Sequence, residues 1–524
     1  MDTSTSEILL SNLSEFMVSR IGLHFPRERW HDLECRINST SAALGFKDAE
    51  SCIRWLIASP LTRKQIEILA SHFTVGETYF FRDKRSFEVL KEHILPWLIS
   101  SRKGKEQYLR IWSAGCSTGE EPYSIAILLN KLIPDLKDWN ITILATDINP
   151  HFLQKASEGV YSDWSFRDTP EWIRRYFRKT KNGFEVLPHI KKMVVFSYHN
   201  LAEDTYPSLL NNTNAMDIIF CRNVLMYFSS DRTKQVVLNL YSCLVEGGWL
   251  IVSPVETSSV LFSQFVTVNF PDLTIYKKDN SSESHKLEEF IPVRTSCYPQ
   301  PYDTRIITPL LNDIVPKPSD VVFSEGCRKS EIMGTDVNEQ NEQELYKEAL
   351  ALYEKGRYAE VAEKIFKPAS CSPDNAKAIV LLARSYANQG KLTEALEWCE
   401  KVIAIDRLNP GYHYLCATIL QERSMVEEAV KSLKRALYLD QDFVLAHFSL
   451  GNLYKQQGKS NESNKYFENA LMLLSRFKQD EILPESDGIT AGRLSEIITS
   501  LISSSKNYGS LWSYQKMEGR EELS

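Results

Sequence analysis

Apolar side chains recur at helical spacing through the first eighty or so residues of the chain. The residues that carry this pattern are Ile8, Leu9, Leu13, Phe16, Met17, Trp30, Leu33, Ile37, Ile66, Leu69 and Phe73. An apolar stripe every three or four positions is typical of helices that pack one face against a shared core. The pattern predicts an N-terminal all-α domain over residues 1–85.

The pattern changes between about residue 108 and residue 277, where short apolar runs alternate with helical stretches. The runs are LRIWSAG, ITILATDI, MVVFSYHNL, AMDIIFCRN and GGWLIVS. Strands separated by helices form βαβ units, and such units build a mainly parallel sheet. The stretch FSQFVTVNFPDLTIYKKD predicts two closely joined strands at an antiparallel edge. We therefore expect an α/β domain over residues 86–280.

The composition shifts to Ser, Pro, Asp, Glu and Asn from about residue 280 to residue 340. Segments such as SSESHKLEEF and VPKPSD carry too little apolar surface to offset the entropy lost when a chain is ordered. We expect residues 281–342 to form a flexible linker.

An internal repeat follows this stretch. One column holds Gly356, Gly390, Ser424 and Gly458 at intervals of 34 residues, and the column seven residues earlier holds Ala349, Ala383, Ala417 and Gly451. A period of 34 with small residues where two helices cross matches the tetratricopeptide pattern. The alternative is a plain helical bundle with accidental spacing, and two complete columns in register argue against it. We expect an α-helical solenoid over 343–475, with a capping helix and tail over 476–524.

Charge and cysteine content argue against several classes of protein. The chain has 61 Lys and Arg against 68 Asp and Glu, a net charge of −7, whereas nucleic-acid-binding proteins normally carry a basic excess. No apolar run approaches the roughly 18 residues of a membrane span, and MDTSTSEILL does not resemble a signal peptide. Ten cysteines without a CxxC pair, and no HExxH motif, predict reduced thiols and no metal site. We expect a cytoplasmic protein without nucleic-acid partners or membrane insertion.

The segment WSAGCSTGEEPYSIAILL predicts a strand, a glycine turn and a helix. Gly115 and Gly119 would let the backbone approach a ligand at the carboxyl end of a strand, where open α/β sheets bind their ligands. The spacing fits neither the dinucleotide GxGxxG motif nor a Walker A loop. Glu120 and Glu121 at the helix start disfavour a phosphate and suit a cationic or neutral ligand. Simple charge compensation at a helix N-terminus is the alternative.

The second predicted strand ends at Asp147, in the segment ATDIN. An acidic residue at this position can accept hydrogen bonds from a ribose hydroxyl. The alternative is an Asp that caps the helix beginning at Pro150. A glycine turn, this Asp and no pyrophosphate signature together favour S-adenosylmethionine over NAD.

Four motifs, HFTVGETYFFRD, WSAGCSTGEEPYSIAI, ATDIN and IIFCRNVLMYF, occur in one order over roughly residues 5–280. In order and spacing they resemble the CheR-type chemotaxis receptor methyltransferases, which are S-adenosylmethionine-dependent protein-glutamate O-methyltransferases. The C-terminal repeats resemble the branch of that family with fused tetratricopeptide repeats. The resemblance implies a class I, Rossmann-like methyltransferase sheet, S-adenosylmethionine as cofactor and S-adenosylhomocysteine as product. It also implies the cytoplasmic domain of a chemoreceptor as substrate, and a further protein partner for the repeats.

The same resemblance carries site residues onto this sequence. The implied cofactor contacts are Thr78, Arg82, Gly115, Glu120, Glu121, Asp147, Asn200, Leu201, Arg222 and Asn223. Glu121 is the expected contact of the acidic pair, with Glu120 as its neighbour, and Gly76 stands where many members have asparagine. Phe80 and Phe81 are interpreted as core aromatics, and Cys221 as a buried thiol, because no His or Asp lies near it in an activating pattern.

Methyl transfer to a carboxylate requires orientation rather than a strong base, because a glutamate with a pKa of about 4.3 is already ionised at neutral pH. Arg82 is the predicted catalytic cation that holds the acceptor, and Tyr227 is predicted to shape the transfer channel. Packing at a strand end is the alternative for Tyr227. The family's small β-subdomain is expected near 165–197, with Asn182 and Gly183 as the hairpin turn. Two alternative functions are a small-molecule carboxylate methyltransferase and a catalytically silent repeat scaffold.

Overall fold

The computed structural model describes residues 6–59, 61–104, 107–202, 205–279, 335–371, 375–486, 488–499 and 501–502. The helices before the repeats are α1 Glu7–Ile21, α2 Trp30–Ala43, α3 Ala49–Ala58, α4 Arg63–Phe73, α5 Lys84–Val89, α6 Leu95–Arg102, α7 Glu120–Leu132, α8 Pro150–Glu158, α9 Pro188–Lys191 and α10 Ser230–Cys243. The strands are β1 Tyr108–Ala114, β2 Asn140–Asp147, β3 Val160–Tyr161, β4 Phe177–Thr180, β5 Gly183–Val186, β6 Val194–Tyr198, β7 Met216–Phe220, β8 Leu244–Ile251, β9 Val266–Phe270 and β10 Leu273–Lys277. The helices of the repeats are α11 Thr335–Glu354, α12 Tyr358–Cys371, α13 Ala376–Asn388, α14 Leu392–Ile405, α15 Pro410–Glu422, α16 Val426–Leu439, α17 Val444–Gln456 and α18 Ser460–Leu474.

Helices α1 to α4 pack around one hydrophobic cluster, as the apolar pattern predicted. Leu13, Met17, Leu33 and Ile37 are fully buried in it. Helix α3 begins at a side-chain cap, because the Asp48 carboxylate accepts a hydrogen bond from a backbone N–H in its first turn. This helical layer also packs against Tyr227, which connects it to the α/β domain.

The large sheet has the order β6-β2-β1-β7-β8-β10-β9. The first five of these strands run parallel, and β10 and β9 pair antiparallel at one edge. Because the carboxyl ends of β6, β2, β1 and β7 meet at one edge, the loops that follow them converge there. The predicted α/β class, the mainly parallel sheet and its antiparallel edge are confirmed.

A small second sheet has the order β3-β5-β4. Strands β4 and β5 form the hairpin that the Asn182–Gly183 signal predicted, with Thr180 paired to Gly183. Gly183 has φ +132°, and a Cβ there would lie 2.4 Å from the Tyr161 carbonyl oxygen. Glycine is therefore required where the hairpin turns against β3. Strand β6, which follows the hairpin, belongs to the large sheet.

Helices α11 to α18 form the four pairs that the period of 34 residues predicted. Ala349, Ala383 and Ala417 are fully buried where helices cross, and a Cβ on Gly451 would lie 2.5 Å from the Phe467 ring. The turn column adopts a left-handed backbone, with φ between +60° and +74° at Gly356, Gly390, Ser424 and Gly458. These columns mark the crossings and the turns of a tetratricopeptide solenoid, and the predicted repeat is confirmed.

The predicted linker lies for the most part outside the described residues, as does the end of the predicted tail from 503 to 524. Helix α11 begins at Thr335, before the predicted start of the repeats. Within the described part of the chain, no helix combines the length and the apolar content that crossing a bilayer requires.

Candidate functional site

The predicted glycine turn lies between β1 and α7, at the carboxyl end of β1. Gly115 has φ +78° and Gly119 has φ +93°. A Cβ on Gly115 would lie 2.4 Å from Val224 Cγ2, and one on Gly119 would lie 2.7 Å from Ala156 Cβ. Any larger residue would therefore strain the turn and displace a neighbour, so both positions require glycine.

Asp147 ends β2, and its buried carboxylate accepts hydrogen bonds from two backbone N–H groups. The N–H of Ser117 donates to Oδ2 and that of Asn149 donates to Oδ1, each at 2.8 Å. Burial raises the pKa of Asp147 to about 6, although these hydrogen bonds act in the opposite direction. Each carboxylate oxygen keeps a further lone pair, so ligand hydroxyls can still donate to it. The alternative role as cap of α8 is wrong, because the Asn149 side chain caps that helix.

The side chain of Glu120, the first residue of α7, points into the protein interior. Glu120 is buried and accepts hydrogen bonds from Thr118 Oγ1 at 2.6 Å and from Ser165 Oγ at 3.0 Å. Burial raises the pKa of Glu120. Glu120 is 2% exposed and each of its oxygens accepts a hydrogen bond from the protein, so its carboxylate braces the turn.

Arg222 and Glu121 form the charged centre of the site. The buried Arg222 guanidinium donates from Nη1 to Glu121 Oε2 at 3.1 Å and from Nη2 to the Arg82 carbonyl oxygen at 2.8 Å. Its Nη2 also lies 3.4 Å from Asp83 Oδ2, and Glu121 accepts a further hydrogen bond from Ser113 Oγ. The Arg222 Nε is buried without a hydrogen-bond partner among the described residues. The β1, β7 and 76–83 segments are thus tied together by charge-assisted hydrogen bonds.

Arg82 lies in the turn before α5, beside this network. It donates from Nη1 to the Glu77 carbonyl oxygen at 2.7 Å, and its guanidinium carbon lies 6.0 Å from the centre of the Tyr79 ring. Within the described residues, no acidic side chain forms an ion pair with Arg82. Thr78, in the same turn, is half-buried. The Arg82 guanidinium therefore keeps donors available for an anionic ligand.

Asn200 and Leu201 follow β6 and are buried. Asn200 donates from Nδ2 to the Arg20 carbonyl oxygen at 3.2 Å and accepts at Oδ1 from the Ala202 N–H at 3.0 Å. This loop is therefore attached to the end of α1. The buried Asn200 side chain fixes the loop through these two hydrogen bonds.

A buried carboxylate that sequence reasoning missed organises the CRN motif. Glu256 accepts hydrogen bonds from the backbone N–H groups of Asn223 and Val224 at 2.8 Å each, and of Met226 at 3.2 Å. It also accepts from Ser253 Oγ at 2.6 Å, in a capping box at the carboxyl end of β8. Asn223 has φ +57°, a conformation that costs a non-glycine residue energy. The available signal was the SPVE segment, a short capping-box pattern after a strand.

Tyr227 lies in the short turn after β7, where the backbone N–H of His24 donates to its carbonyl oxygen at 2.7 Å. Its side chain is half-buried and packs against the N-terminal helical cluster. It joins the helical layer to the loop that carries Arg222 and Asn223, and its role in transfer remains a prediction.

The structure also explains the glycine at position 76. A Cβ there would lie 2.5 Å from Cζ of Phe152, in the first turns of α8. The aromatic ring thus occupies the space that an asparagine side chain would need. Nearby, Phe80 is fully buried and Phe81 nearly so, which confirms that both belong to the core. Cys221 is also buried, which raises its pKa and keeps it an unreactive thiol, as predicted.

Arg222 thus contacts both the Glu121 side chain and the Arg82 backbone carbonyl oxygen. The backbone N–H of Ser117, in the turn that begins at Gly115, donates to the Asp147 carboxylate and joins that turn to the end of β2. Buried atoms remain to be satisfied there: Ser117 Oγ and Arg222 Nε have no partner among the described residues. Such atoms are normally hydrogen-bonded, so they point to a polar ligand. Glu120 contributes structure instead of an open contact. The described residues contain no group of His, Cys, Asp and Glu that could hold a metal ion.

Comparison with known families gives this geometry a context. Residues 76–270 match the family model described as CheR methyltransferase, SAM binding domain. Residues 422–458 match a TPR repeat model, and 444–473 match a Tetratricopeptide repeat model. Residues 342–436 match a model described as Anaphase-promoting complex, cyclosome, subunit 3.

Curated relatives match about half of the chain. A protein named Chemotaxis protein methyltransferase from Borreliella burgdorferi is 32% identical over 252 residues, which span 47% of this chain and 87% of that protein. Chemotaxis protein methyltransferase 2 from Vibrio cholerae is 35% identical over 42% of this chain and 76% of its own. Chemotaxis protein methyltransferase Cher2 from Pseudomonas putida is 31% identical over 52% of this chain and 99% of its own.

Solved structures resemble this chain only weakly. The structure titled Crystal structure of MamA protein covers 34% of this chain and 95% of its own, at 17% identity and a TM-score of 0.25. A score this low supports no inference about fold or function.

Proposed function

This chain belongs to the CheR family of chemotaxis protein methyltransferases, and we propose that it methylates glutamate side chains of chemoreceptors. It carries the SAM-binding domain of that family, and its cofactor is S-adenosylmethionine. The proposed substrate is the cytoplasmic domain of a receptor, and the proposed product is a glutamate methyl ester. S-adenosylhomocysteine is the second product.

One observation supports a carboxylate acceptor above all others. Arg222 donates to the Arg82 backbone carbonyl oxygen, which places the Arg82 main chain beside the Arg222–Glu121 pair, and no acidic side chain of the described residues forms an ion pair with the Arg82 guanidinium. Arg222 is already paired with Glu121 and Asp83 and keeps its Nε donor, whereas Arg82 pairs with no acidic side chain of the described residues. A guanidinium can bind a carboxylate through two parallel hydrogen bonds, which fixes its orientation as well as its position.

The residues of the site fit S-adenosylmethionine. Asp147 has lone pairs for ribose hydroxyls, Glu121 lies where an ammonium or sulfonium charge is favoured, and the glycine turn leaves room for close approach. The buried Ser117 Oγ and Arg222 Nε would gain partners. We propose that Thr78, Arg82, Gly115, Glu121, Asp147, Asn200, Leu201, Arg222 and Asn223 bind it. When bound, this cofactor supplies a methyl group already activated by a positively charged sulfur.

The protein's own contribution is orientation and exclusion of water. A glutamate acceptor is ionised at neutral pH, so no general base is needed and no proton moves. Arg82 would hold the acceptor carboxylate, while Tyr227, fixed by the helical layer, would border the channel through which the acceptor enters. Taking a carboxylate partly out of water makes the charge-assisted hydrogen bond from Arg82 stronger.

The repeats give the chain a second surface for proteins. Stacked helix pairs form extended surfaces that hold protein segments and perform no chemistry. We propose that they bind a protein partner of the signalling pathway, in addition to the receptor contacted by the catalytic domain.

Tritiated methyl transfer tests the proposed activity. The full chain, methyl-labelled S-adenosylmethionine and purified receptor cytoplasmic domains should yield base-labile label on the receptor, which peptide mass spectrometry assigns to glutamates. The Arg82→Ala chain is the negative control, and Arg54→Ala, at an exposed position on α3 where Arg54 pairs with Glu50, is its matched control. Label only on a small carboxylic acid would favour a small-molecule methyltransferase. Cofactor binding without any transfer would favour a silent scaffold.

A further inference from the structure

The turns inside successive repeats lie along the amino ends of the strands of the large sheet. A Cβ on Gly356 would lie 2.3 Å from Ser242 Oγ, at the end of α10 before β8. A Cβ on Gly390 would lie 3.1 Å from the hydroxyl of Tyr108, the first residue of β1. The Glu422 carbonyl oxygen accepts a hydrogen bond of 3.0 Å from Asn140 Nδ2, at the start of β2. The solenoid is therefore docked on the sheet, on the edge opposite the cofactor site.

A buried carboxylate fastens this contact. Glu422 Oε1 accepts a hydrogen bond of 2.8 Å from Asn214 Nδ2, just before β7. Arg110 Nη2 in turn donates to the Asn214 carbonyl oxygen at 3.1 Å and to Asn212 Oδ1 at 2.7 Å. Burial raises the pKa of Glu422, while Arg110 and Asn214 oppose this shift. Glu422 Oε2 has no hydrogen-bond partner among the described residues, so the carboxylate depends on its hydrogen bond from Asn214, which forms only when the two parts of the chain are in register.

The segment at 205–214 connects this contact to the cofactor site. It runs from the loop of Asn200 and Leu201 back to the start of β7, and Leu209 and Leu210 pack against the buried cluster of the repeats. Residues after α18 meet its beginning, because a Cβ on Gly488 would lie 3.5 Å from Thr205 Oγ1. The Arg493 guanidinium carbon lies 4.6 Å from the ring centre of Tyr198, which ends β6. The residues after α18 therefore contact the start of this segment, and the repeats contact its middle at Leu209 and Leu210 and its end at Asn214.

We propose that the solenoid acts as a clamp on the 205–214 segment of the same chain. Docking of that segment orders Asn200 and Leu201 and thereby strengthens S-adenosylmethionine binding. This proposal relies on the proposed cofactor contacts of that pair and does not depend on which acceptor is methylated. A protein partner that binds the same face of the repeats must first displace Leu209 and Leu210. Because coupling between two sites is reciprocal, such a partner lowers cofactor affinity, and the cofactor opposes the partner.

A matched pair of glycine variants of the full chain tests the clamp. Gly356 and Gly458 occupy the same turn position with φ +70° and +73°, but a Cβ on Gly458 meets nothing within 4 Å. Asparagine tolerates the left-handed backbone, so Gly356→Asn and Gly458→Asn share any backbone strain and differ in the clash with Ser242. In Gly356→Asn we expect faster hydrogen exchange in peptides covering 205–214. We also expect a calorimetric Kd for S-adenosylhomocysteine raised by about fivefold or more. Gly458→Asn should match the unchanged chain in both.

A second pair of variants tests the same contact with a substitution in the catalytic domain. Leu210→Asp should release the segment in the same way, whereas Leu408→Asp, at a repeat position that is 76% exposed, should not. If neither Gly356→Asn nor Leu210→Asp speeds exchange in 205–214, the docking does not hold in solution and the proposal is wrong. If exchange speeds up while the Kd stays the same, docking is not coupled to the cofactor, and the clamp is equally wrong. Binding is measured without an acceptor, so a failure of receptor methylation is a separate result.

Discussion

The carboxylate of Glu256 accepts a hydrogen bond of 2.8 Å from the backbone N–H of Asn223. Asn223 has φ +57°, and a backbone in this region persists only when its surroundings hold it there. Glu256 therefore acts at a distance, by fixing the loop that carries two proposed cofactor contacts, Arg222 and Asn223.

We expect Glu256→Gln to weaken S-adenosylhomocysteine binding by about 1–3 kcal/mol, because an amide cannot accept on both sides as a carboxylate does. Calorimetry measures this loss, and Glu92→Gln, at an exposed position after α5, is the matched control. Glu256→Gln also leaves a buried backbone N–H without its acceptor and should lower thermal stability, so affinity is measured at a temperature where both variants are folded. Equal affinity in Glu256→Gln and the unchanged chain would remove Glu256 from the site.

The raised pKa of Asp147 predicts a pH dependence of cofactor binding. Ribose hydroxyls donate to the ionised carboxylate, and burial sets its pKa in the ligand-free protein at about 6. Affinity should be constant above that pH and fall as the pH drops through 6, approaching about tenfold per pH unit as protonation competes with the ligand. Asp147→Asn should bind weakly and without this dependence. An Asp147→Asn chain with the pH profile of the unchanged chain would assign the titration to another group.

Arg82→Ala should lower kcat far more than it lowers cofactor affinity, because its proposed partner is the acceptor carboxylate. Single-turnover methyl transfer and calorimetry separate the two effects. Arg82→Lys should restore only part of the rate, because an ammonium group lacks the planar fork of a guanidinium. Equal losses of rate and of cofactor affinity would instead make cofactor binding the main role of Arg82 and remove it from the acceptor.

The parts of the fold that repeat or alternate could be read from the sequence. Alternating strands and helices fixed the expectation of a parallel sheet, and the 34-residue columns at Gly356 and Ala383 marked the repeats, because the burial that produces these patterns is local and periodic. Asp147 was found because its position at a strand end is itself a sequence signal. These features need only near neighbours in the chain.

Long-range contacts could not be read in this way. Glu256 lies more than thirty residues from Asn223, and Glu422 lies 208 residues from Asn214, so no spacing rule joins either pair. The local pattern also gave no reason to separate Glu120 from Glu121, and only the family resemblance named Glu121 as the contact; Ser165 and Arg222 set the directions of the two side chains in the folded chain. Partners of this kind become visible only in three dimensions.

The pairing of Gly76 with Phe152 predicts a coupled substitution. Gly76→Asn should destabilise the loop, because its Cβ would lie 2.5 Å from the Phe152 ring. Phe152→Ala opens that space, so Gly76→Asn should cost much less in the Phe152→Ala background, with a coupling of about 0.5–3 kcal/mol. A double-mutant cycle of urea unfolding measures this, and additive effects would show that the ring does not limit position 76.

The turn column of the repeats contains one residue that does not suit its backbone. Ser424 has φ +60°, while the other three residues of the column are glycines with the same left-handed conformation. The left-handed region costs a residue with a Cβ about 1–2 kcal/mol, and a glycine at this position avoids that strain. Part of the benefit is offset because glycine loses more conformational entropy when the chain folds. Ser424→Gly should therefore stabilise the repeats by about 1 kcal/mol, measured by urea unfolding followed through helical circular dichroism. Ser424→Ala keeps the Cβ and should give no such gain, so a rise in both variants would trace the effect to the lost hydroxyl.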